Sequence, residues 1–171
     1  MSGGAAPAVR PARADDVADL ISLVRELAAY ERALEQAIAT EADFTRDLFG
    51  PSPRVHALVA DVDGTLIGYA IYFLNYSTWL GKHGLFLEDL YLRPTHRGLG
   101  AGTALLRALA QECVDHGYGR FEWSVLDWNE PALGFYRSLG ANAMDEWTVQ
   151  RLTGDALGRL ASGHPRAGDT T

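Results

Sequence analysis

One cysteine stands in 171 residues, Cys113. A lone thiol rules out an internal disulfide and fits a reducing, cytoplasmic compartment. Long apolar runs are missing, so no segment has the length to span a bilayer and no membrane partner is expected. The opening residues, MSGGAAPAVRPAR, lack the apolar stretch of a secretory signal. Histidine is scarce: His56, His83, His96, His116 and His164 include no pair at H-x-x-x-H spacing, so no metal site is expected. Basic residues are outnumbered, 15 Lys and Arg against 22 Asp and Glu, for a net charge of −7. That balance argues against nucleic acid and for a small cationic partner, although a solvated acidic surface carries such a charge equally well. No internal repeat is visible.

The remaining composition is that of a globular chain, 47% hydrophobic and 22% charged. The length predicts a single domain with a sizeable core. Its expected span is 9–160, with residues 1–8 disordered and 161–171 a flexible tail. Val9–Pro11 reads as a short first strand, and Asp15 or Asp16 as the cap of a helix. Val17, Leu20, Ile21, Val24, Leu27 and Ala28 then follow helical spacing. A second helix starts at Thr40, where Asp43 can close a capping-box-like pair, and Gly50-Pro51-Ser52-Pro53 breaks it. Val55–Asp61, Thr65–Leu74 and Leu85–Leu92 read as strands, with Asn75–Gly84 a loop. After a further helix, Arg120–Leu126 alternates as a strand. Asn129 caps a helix with Pro131 in its first turn. Met144–Leu152 reads as a last strand and Thr153–Leu160 as a short helix. The order predicts an α/β (α+β) fold, a mixed sheet with helices on both faces that can splay open to hold a ligand.

The stretch Leu85–Cys113, LFLEDLYLRPTHRGLGAGTALLRALAQEC, organises the chain. A strand enters the loop Arg97-Gly98-Leu99-Gly100-Ala101-Gly102. The loop opens a helix with Leu105, Leu106, Leu109, Ala110, Cys113 and Val114 on one side, and Gly117 can stop that helix. Free backbone N–H groups and a helix N-terminus make such a loop a phosphate site. It lacks the Gly-Lys-Ser/Thr of a P-loop and the G-x-G-x-x-G of a dinucleotide site. Cys113 falls on the apolar side of the helix, which suits a buried structural thiol better than a nucleophile.

Arg97-x-x-Gly100-x-Gly102 resembles the pyrophosphate loop of the GNAT superfamily of N-acetyltransferases, which bind acetyl-CoA. Tyr30-Glu31, Leu87-Glu88-Asp89, Trp128-Asn129-Glu130-Pro131 and Phe135-Tyr136 through Gly140-Ala141 resemble the spermidine/spermine N-acetyltransferase group. The likeness runs over nearly the whole chain. Tyr76-Ser77-Thr78-Trp79-Leu80-Gly81-Lys82 and Val125-Leu126-Asp127-Trp128-Asn129 are closer to its thialysine-type members. Ser77-Thr78 replaces the Asp-Pro usual in the polyamine enzymes, which argues against a polyamine acceptor.

The resemblance implies a GNAT fold, mostly antiparallel and splayed at the acetyl-CoA site. It implies acetyl-CoA as the acetyl donor, a small amine as acceptor, and a homodimer with the C-terminal strand region as a candidate interface. Leu90, Tyr91 and Leu92 would pair with the pantetheine arm. Gly98, Leu99, Gly100, Ala101, Gly102 and Thr103 would hold the pyrophosphate, with Arg97 beside it. Asn129, Pro131 and Tyr136 would complete the cofactor contacts. The acceptor would meet Tyr30, Glu31, Ser77, Thr78, Trp79, Glu88, Asp89, Glu122, Trp123 and Ser124, with Glu35 adding charge.

An alkyl ammonium has a pKa near ~10.4, so roughly one molecule in a thousand is a nucleophile at neutral pH. A site for it must remove a proton. Glu88, a carboxylate inside an otherwise apolar strand, is the candidate base; burial would raise its pKa and suit proton acceptance through a water. Tyr136 is the candidate acid for the thiolate leaving group. Taken alone, a tyrosine on an amphipathic helix is more often core, and Asn129 serves equally as a helix cap. Other readings are a polyamine acceptor, a peptide or protein amine, or an acyl-CoA-binding module without transfer.

Overall fold

In the computed structural model of the chain, residues 6–163 are described. The expected disorder of 1–8 and the flexible tail at 161–171 fall mostly outside them. The strands are β1 (Ala8–Pro11), β2 (His56–Val62), β3 (Thr65–Ser77), β4 (Lys82–Leu92) and β5 (Phe121–Trp123). The helices are α1 (Val17–Tyr30), α2 (Glu41–Phe49), α3 (Ala101–Asp115), α4 (Glu130–Ser138) and α5 (Gly154–Ala161). They fall into two compact units, one up to residue 124 and one from residue 125.

The first unit holds one five-stranded sheet in the order β1-β2-β3-β4-β5. The first four strands are antiparallel neighbours, and β5 runs parallel to β4. Asp63 and Gly64 link β2 to β3 with φ of 52° and 80°, the left-handed pair that suits a tight hairpin turn. Side chains alternate across the sheet. Val59, Leu66, Tyr69, Ile71 and Tyr91 meet Leu20, Leu23 and Leu48 of α1 and α2 in one core. On the opposite face α3 buries Leu105, Leu106, Leu109 and Cys113, and burial pushes the Cys113 thiol up.

Asp16 ties β1 to the start of α1. Its carboxylate accepts two hydrogen bonds from Arg10, at 2.7 and 2.9 Å, and a third from the Arg13 amide at 2.7 Å. The Arg10 hydrogen bond holds the Asp16 carboxyl below the usual carboxylate range. Thr40 and Asp43 form the expected capping box at α2.

Three expectations change. The Asn75–Gly84 loop is instead a continuation of the β3–β4 hairpin, pairing Asn75 with Gly84, Tyr76 with His83 and Ser77 with Lys82. Polar residues at the hairpin end hid the pairing. β5 is shorter than Arg120–Leu126. Met144–Leu152 forms no strand. It runs as a turn and unpaired backbone, with Trp147 70% and Val149 79% exposed. Alternation makes a strand only where a neighbouring edge takes its hydrogen bonds, and among the described residues no strand pairs with this stretch.

Asp16→Ala is expected to lower the unfolding free energy by about 2 kcal/mol, the scale of hydrogen bonds to a charged group. Because the Asp16 pKa is depressed in the folded state, its contribution is present above the unfolded value and lost as pH falls through the folded one. Urea denaturation at pH 7 and in the acid range below pH 4 checks both the size and the sign.

Candidate active site

The two central strands slip by one residue. Ile71 pairs with Asp89 and Tyr72 with Leu87, which leaves Glu88 as an extra residue in β4. Such a bulge changes which face later side chains take. Leu85 and Leu87 are buried. After the bulge, Leu92 points to the α3 face, where its side chain lies against Gly102. Tyr91 joins the α1 core. Asp89, opposite Ile71, stands on that same α1 face.

Tyr69 of β3 is fully buried, and its hydroxyl donates to Asp89 Oδ2 at 3.4 Å. Asp89 is half-buried. Burial pushes its carboxyl up to about 6, with Glu88 and Glu31 adding to the rise and the Tyr69 hydrogen bond opposing it. Glu88, expected to be buried, is exposed; the bulge turns it outward, so the desolvation argument belongs to its neighbour.

Tyr30 and Glu31 stand where α1 ends. Arg32 takes a left-handed φ of 60°, and Ala33 N–H closes onto Ala28 O at 2.8 Å, a helix-ending turn in which glycine is more usual. Desolvation raises the Glu31 carboxyl. The Tyr30 ring lies under the Arg97 guanidinium, 5.2 Å from Cζ to centroid. One turn earlier, Glu26 accepts hydrogen bonds from Arg93 Nη2 at 2.9 Å, from Arg93 Nε at 3.1 Å and from the Tyr91 hydroxyl at 3.2 Å. Arg93 also reaches Leu66 O at 3.0 Å through Nη1, and its amide donates to Ile67 O at 2.9 Å. This fixes the chain just before the glycine loop.

In that loop Gly98 and Gly100 have φ of 79° and 84°. Gly100 precedes α3, whose first amide-to-carbonyl bond runs from Ala104 N–H to Gly100 O. The amides of Ala101, Gly102 and Thr103 therefore face forward as helix N-terminal donors. A Cβ at Gly102 would come within 3.1 Å of Leu92 Cδ1, so this glycine lets the helix sit close to β4. Leu99 is exposed and Ala101 is buried. Arg97 Nε donates to Leu92 O at 3.2 Å.

Pairing of β4 with β5 ends at Leu87 and Trp123. Residues 88–92 continue with no strand on that side among the described residues, so their backbone edge is open. The side chain of Tyr91 is committed to Glu26 and the core.

The other expected acceptor residues are less uniform. Ser77 is buried, and its hydroxyl accepts the Leu80 N–H at 3.2 Å. It is a turn residue of the hairpin, not the loop hydroxyl expected. Thr78 and Trp79 occupy the hairpin tip, with Trp79 90% exposed. Glu122 lies on the Asp89 face of the sheet, beside Phe86. It pairs with Arg120 at 2.8 Å and accepts from Asn75 Nδ2 at 3.0 Å. Trp123 points the other way, its ring against Phe121; Ser124 ends the first unit.

In the second unit, Asn129 caps α4 by accepting the Ala132 N–H, with Pro131 in the first turn. Tyr136 is half-buried on the same helix, and burial pushes its phenol up.

Sequence reading missed Tyr69, Glu26 and Arg93. Tyr69 sits in an apolar run where a phenol looks like any core aromatic, and only the bulged register reveals its partner.

Asp89→Asn is expected to gain stability over the parent protein as pH rises. The raised carboxyl is stabilising while protonated, and that stability is lost as pH rises through about 6. Urea melts across pH 4–8 should show the two proteins diverging toward the alkaline end.

A comparison with known families matches residues 20–141 to the Acetyltransferase (GNAT) family. The thialysine N-epsilon-acetyltransferase of Sus scrofa is 35% identical, over 90% of this chain and 96% of its own length. An L-ornithine N5-acetyltransferase of Arabidopsis thaliana is 31% identical, over 87% and 85%. An integron cassette protein from the mobile metagenome of V. cholerae aligns in three dimensions with a TM-score of 0.77 at 25% identity, covering 92% of this chain and 99% of that one. The strand–glycine loop–helix unit and the open edge of β4 thus belong to a member of the GNAT family, an acetyl-CoA-dependent N-acetyltransferase.

Proposed function

We propose that this acetyltransferase acts on the side-chain amine of a thialysine- or lysine-like amino acid, or on a short diamine, by direct transfer from acetyl-CoA. The observation that carries this reading is the half-buried Asp89 with Glu31 and Glu88 acting on it. Three carboxylates around one position favour a cation over a neutral acceptor. The thialysine and ornithine enzymes similar to this chain are named for amino-acid acceptors, which supports an amino acid. A human spermidine/spermine N(1)-acetyltransferase-like protein, 33% identical over 87% of this chain and 23% of its own length, keeps polyamines as the second reading.

In this reading the Gly98–Thr103 backbone takes the pyrophosphate at the α3 N-terminus. The open edge at Leu90, Tyr91 and Leu92 pairs with the pantetheine arm as an added strand would. Asn129, Pro131 and Tyr136 are further candidate cofactor contacts. Tyr30, Thr78, Trp79 and Ser124 surround the acceptor. The Arg120–Glu122 pair offers both charge signs to the α-amino and carboxylate groups of an amino acid. The adjacent carboxylates Glu88 and Asp89 take the proton of the ammonium and pass it to solvent. The amine attacks the thioester carbonyl, the C–S bond breaks, and Tyr136 protonates the departing thiolate; its raised pKa keeps it protonated at neutral pH.

The family match, residues 20–141, includes residues of both units. Exposed Met144, Trp147 and Val149 give the C-terminal unit an apolar surface suited to a homodimer contact. The buried thiol of Cys113 suits a reducing cytoplasm.

Thiol release from acetyl-CoA, compared among thialysine, lysine, ornithine, spermidine and spermine, tests the acceptor. Higher kcat/KM for the amino acids is expected; a preference for spermidine would overturn the amino-acid reading. Tyr136→Phe is expected to lower kcat by roughly 10²–10⁴-fold, the range of general acid catalysis. Gly100→Val should raise the KM for acetyl-CoA, because position 100 is left-handed.

A further inference from the structure

The bulge sets two consecutive carboxylates at one point of β4: Glu88 exposed, and Asp89 half-buried on the face shared with Tyr69. We propose that Asp89 is the first acceptor of the amine's proton, that Tyr69 is the positioning residue which orients it, and that Glu88 then carries the proton outward. This deepens the proposed transfer reaction and rests on it.

Tyr69 has no exposure. A phenol so buried needs a partner for its O–H, and Asp89 Oδ2 is that partner at 3.4 Å. The two residues lie on a diagonal of the β3–β4 ladder, since Tyr69 pairs with Tyr91 and Ile71 with Asp89. One carboxylate oxygen, Oδ2, accepts from the hydroxyl. The groups acting on Asp89 are Tyr69 from β3, Glu31 from the end of α1 and Glu88 from its own strand. Two of these are anionic, so the pair of stations invites an ammonium and also lets a neutral Asp89 form easily once the proton arrives.

The step balances as follows. The ammonium R–NH3+ gives one proton to Asp89 and becomes a neutral amine. The amine nitrogen bonds to the thioester carbonyl carbon, the C–S bond breaks, and the sulfur leaves with the bonding electrons. Tyr136 gives its proton to the thiolate to form the CoA thiol, and the second nitrogen proton, lost as the amide forms, restores the Tyr136 phenol. Asp89 passes the first proton to Glu88 and so to solvent. One proton is released in all, which matches the net reaction of an ammonium with a thioester at neutral pH. A carboxyl poised near the working pH suits such a relay better than one at the usual carboxylate value.

The test is the pH profile of kcat/KM for the best amine in four proteins: the parent, Tyr69→Phe, Asp89→Asn and Glu88→Gln. The parent should show an acid limb near pH 6. Tyr69→Phe removes only a hydroxyl. It strips a donor from the charged carboxylate, so the limb should move upward by about half a pH unit or more, and kcat should fall more than KM changes. Asp89→Asn should erase the limb and lower kcat by roughly 10²-fold or more. Glu88→Gln should slow turnover while keeping the limb. A Tyr69→Phe profile superimposed on the parent's, or a limb erased by Glu88→Gln and kept in Asp89→Asn, overturns the proposal.

Carbon-13 NMR titration of the parent's Asp89 carboxyl supplies a readout independent of turnover and of any variant's folding. A midpoint about 6 is expected, and a midpoint at or below 4 overturns the relay. Should no amine release thiol from the parent, the transfer reading fails on its own account, and the titration still decides the Tyr69–Asp89 pair.

Discussion

A single extra residue in β4 sets the geometry on which the site depends. Strict alternation would put Leu85, Leu87, Asp89 and Tyr91 on one face of the sheet. That arrangement would send a carboxylate and a phenol under α3. With Glu88 inserted against Ile71 and Tyr72, the parity changes. Leu92 reaches the α3 face, while Asp89 and Tyr91 cross to the α1 face, where Tyr69 and Glu26 supply hydrogen-bonding partners. The bulge lies next to the point where β4 and β5 stop pairing, so one irregularity sits beside both the open backbone edge and the inward carboxylate.

The glycine loop is built by a different device. Its surface is backbone: left-handed glycines at 98 and 100, then the forward-facing amides of α3. Side chains around the loop serve to hold it. Leu92 packs against Gly102, Arg97 binds the Leu92 carbonyl and covers Tyr30, and Arg93 binds Glu26. Basic residues that might have been assigned to phosphate are thus engaged with the protein itself, and the helix N-terminus supplies the positive potential.

Much of this was legible in the chain. Helical spacing identified α1 and α3, the Thr40–Asp43 and Asn129 caps marked two helix starts, and the strand, glycine loop and helix follow in the order read from the chain. What escaped depended on contacts distant in sequence. The apolar alternation around Trp147 and Val149 resembled a strand because pattern alone does not say whether an edge is available. Asn75 and Ser77 resembled loop residues because polar side chains suit a hairpin end as well. The different burial of Glu88 and Asp89 was invisible because a bulge is a property of two strands together, and LED reads the same in either register.

Arg93 carries a consequence for binding energetics. Its guanidinium is held by the Glu26 carboxylate and the Leu66 carbonyl, and its amide by the Ile67 carbonyl. The segment leading into the glycine loop therefore gives up its conformational entropy when the chain folds, not when the cofactor arrives. A ligand meeting an already ordered loop loses less of its gross interaction energy to ordering the protein. The cost is shifted to the folding equilibrium, where the packed sheet and α1 supply the compensation. Tight nucleotide binding in such a design comes as much from what the loop no longer has to lose as from the contacts it makes.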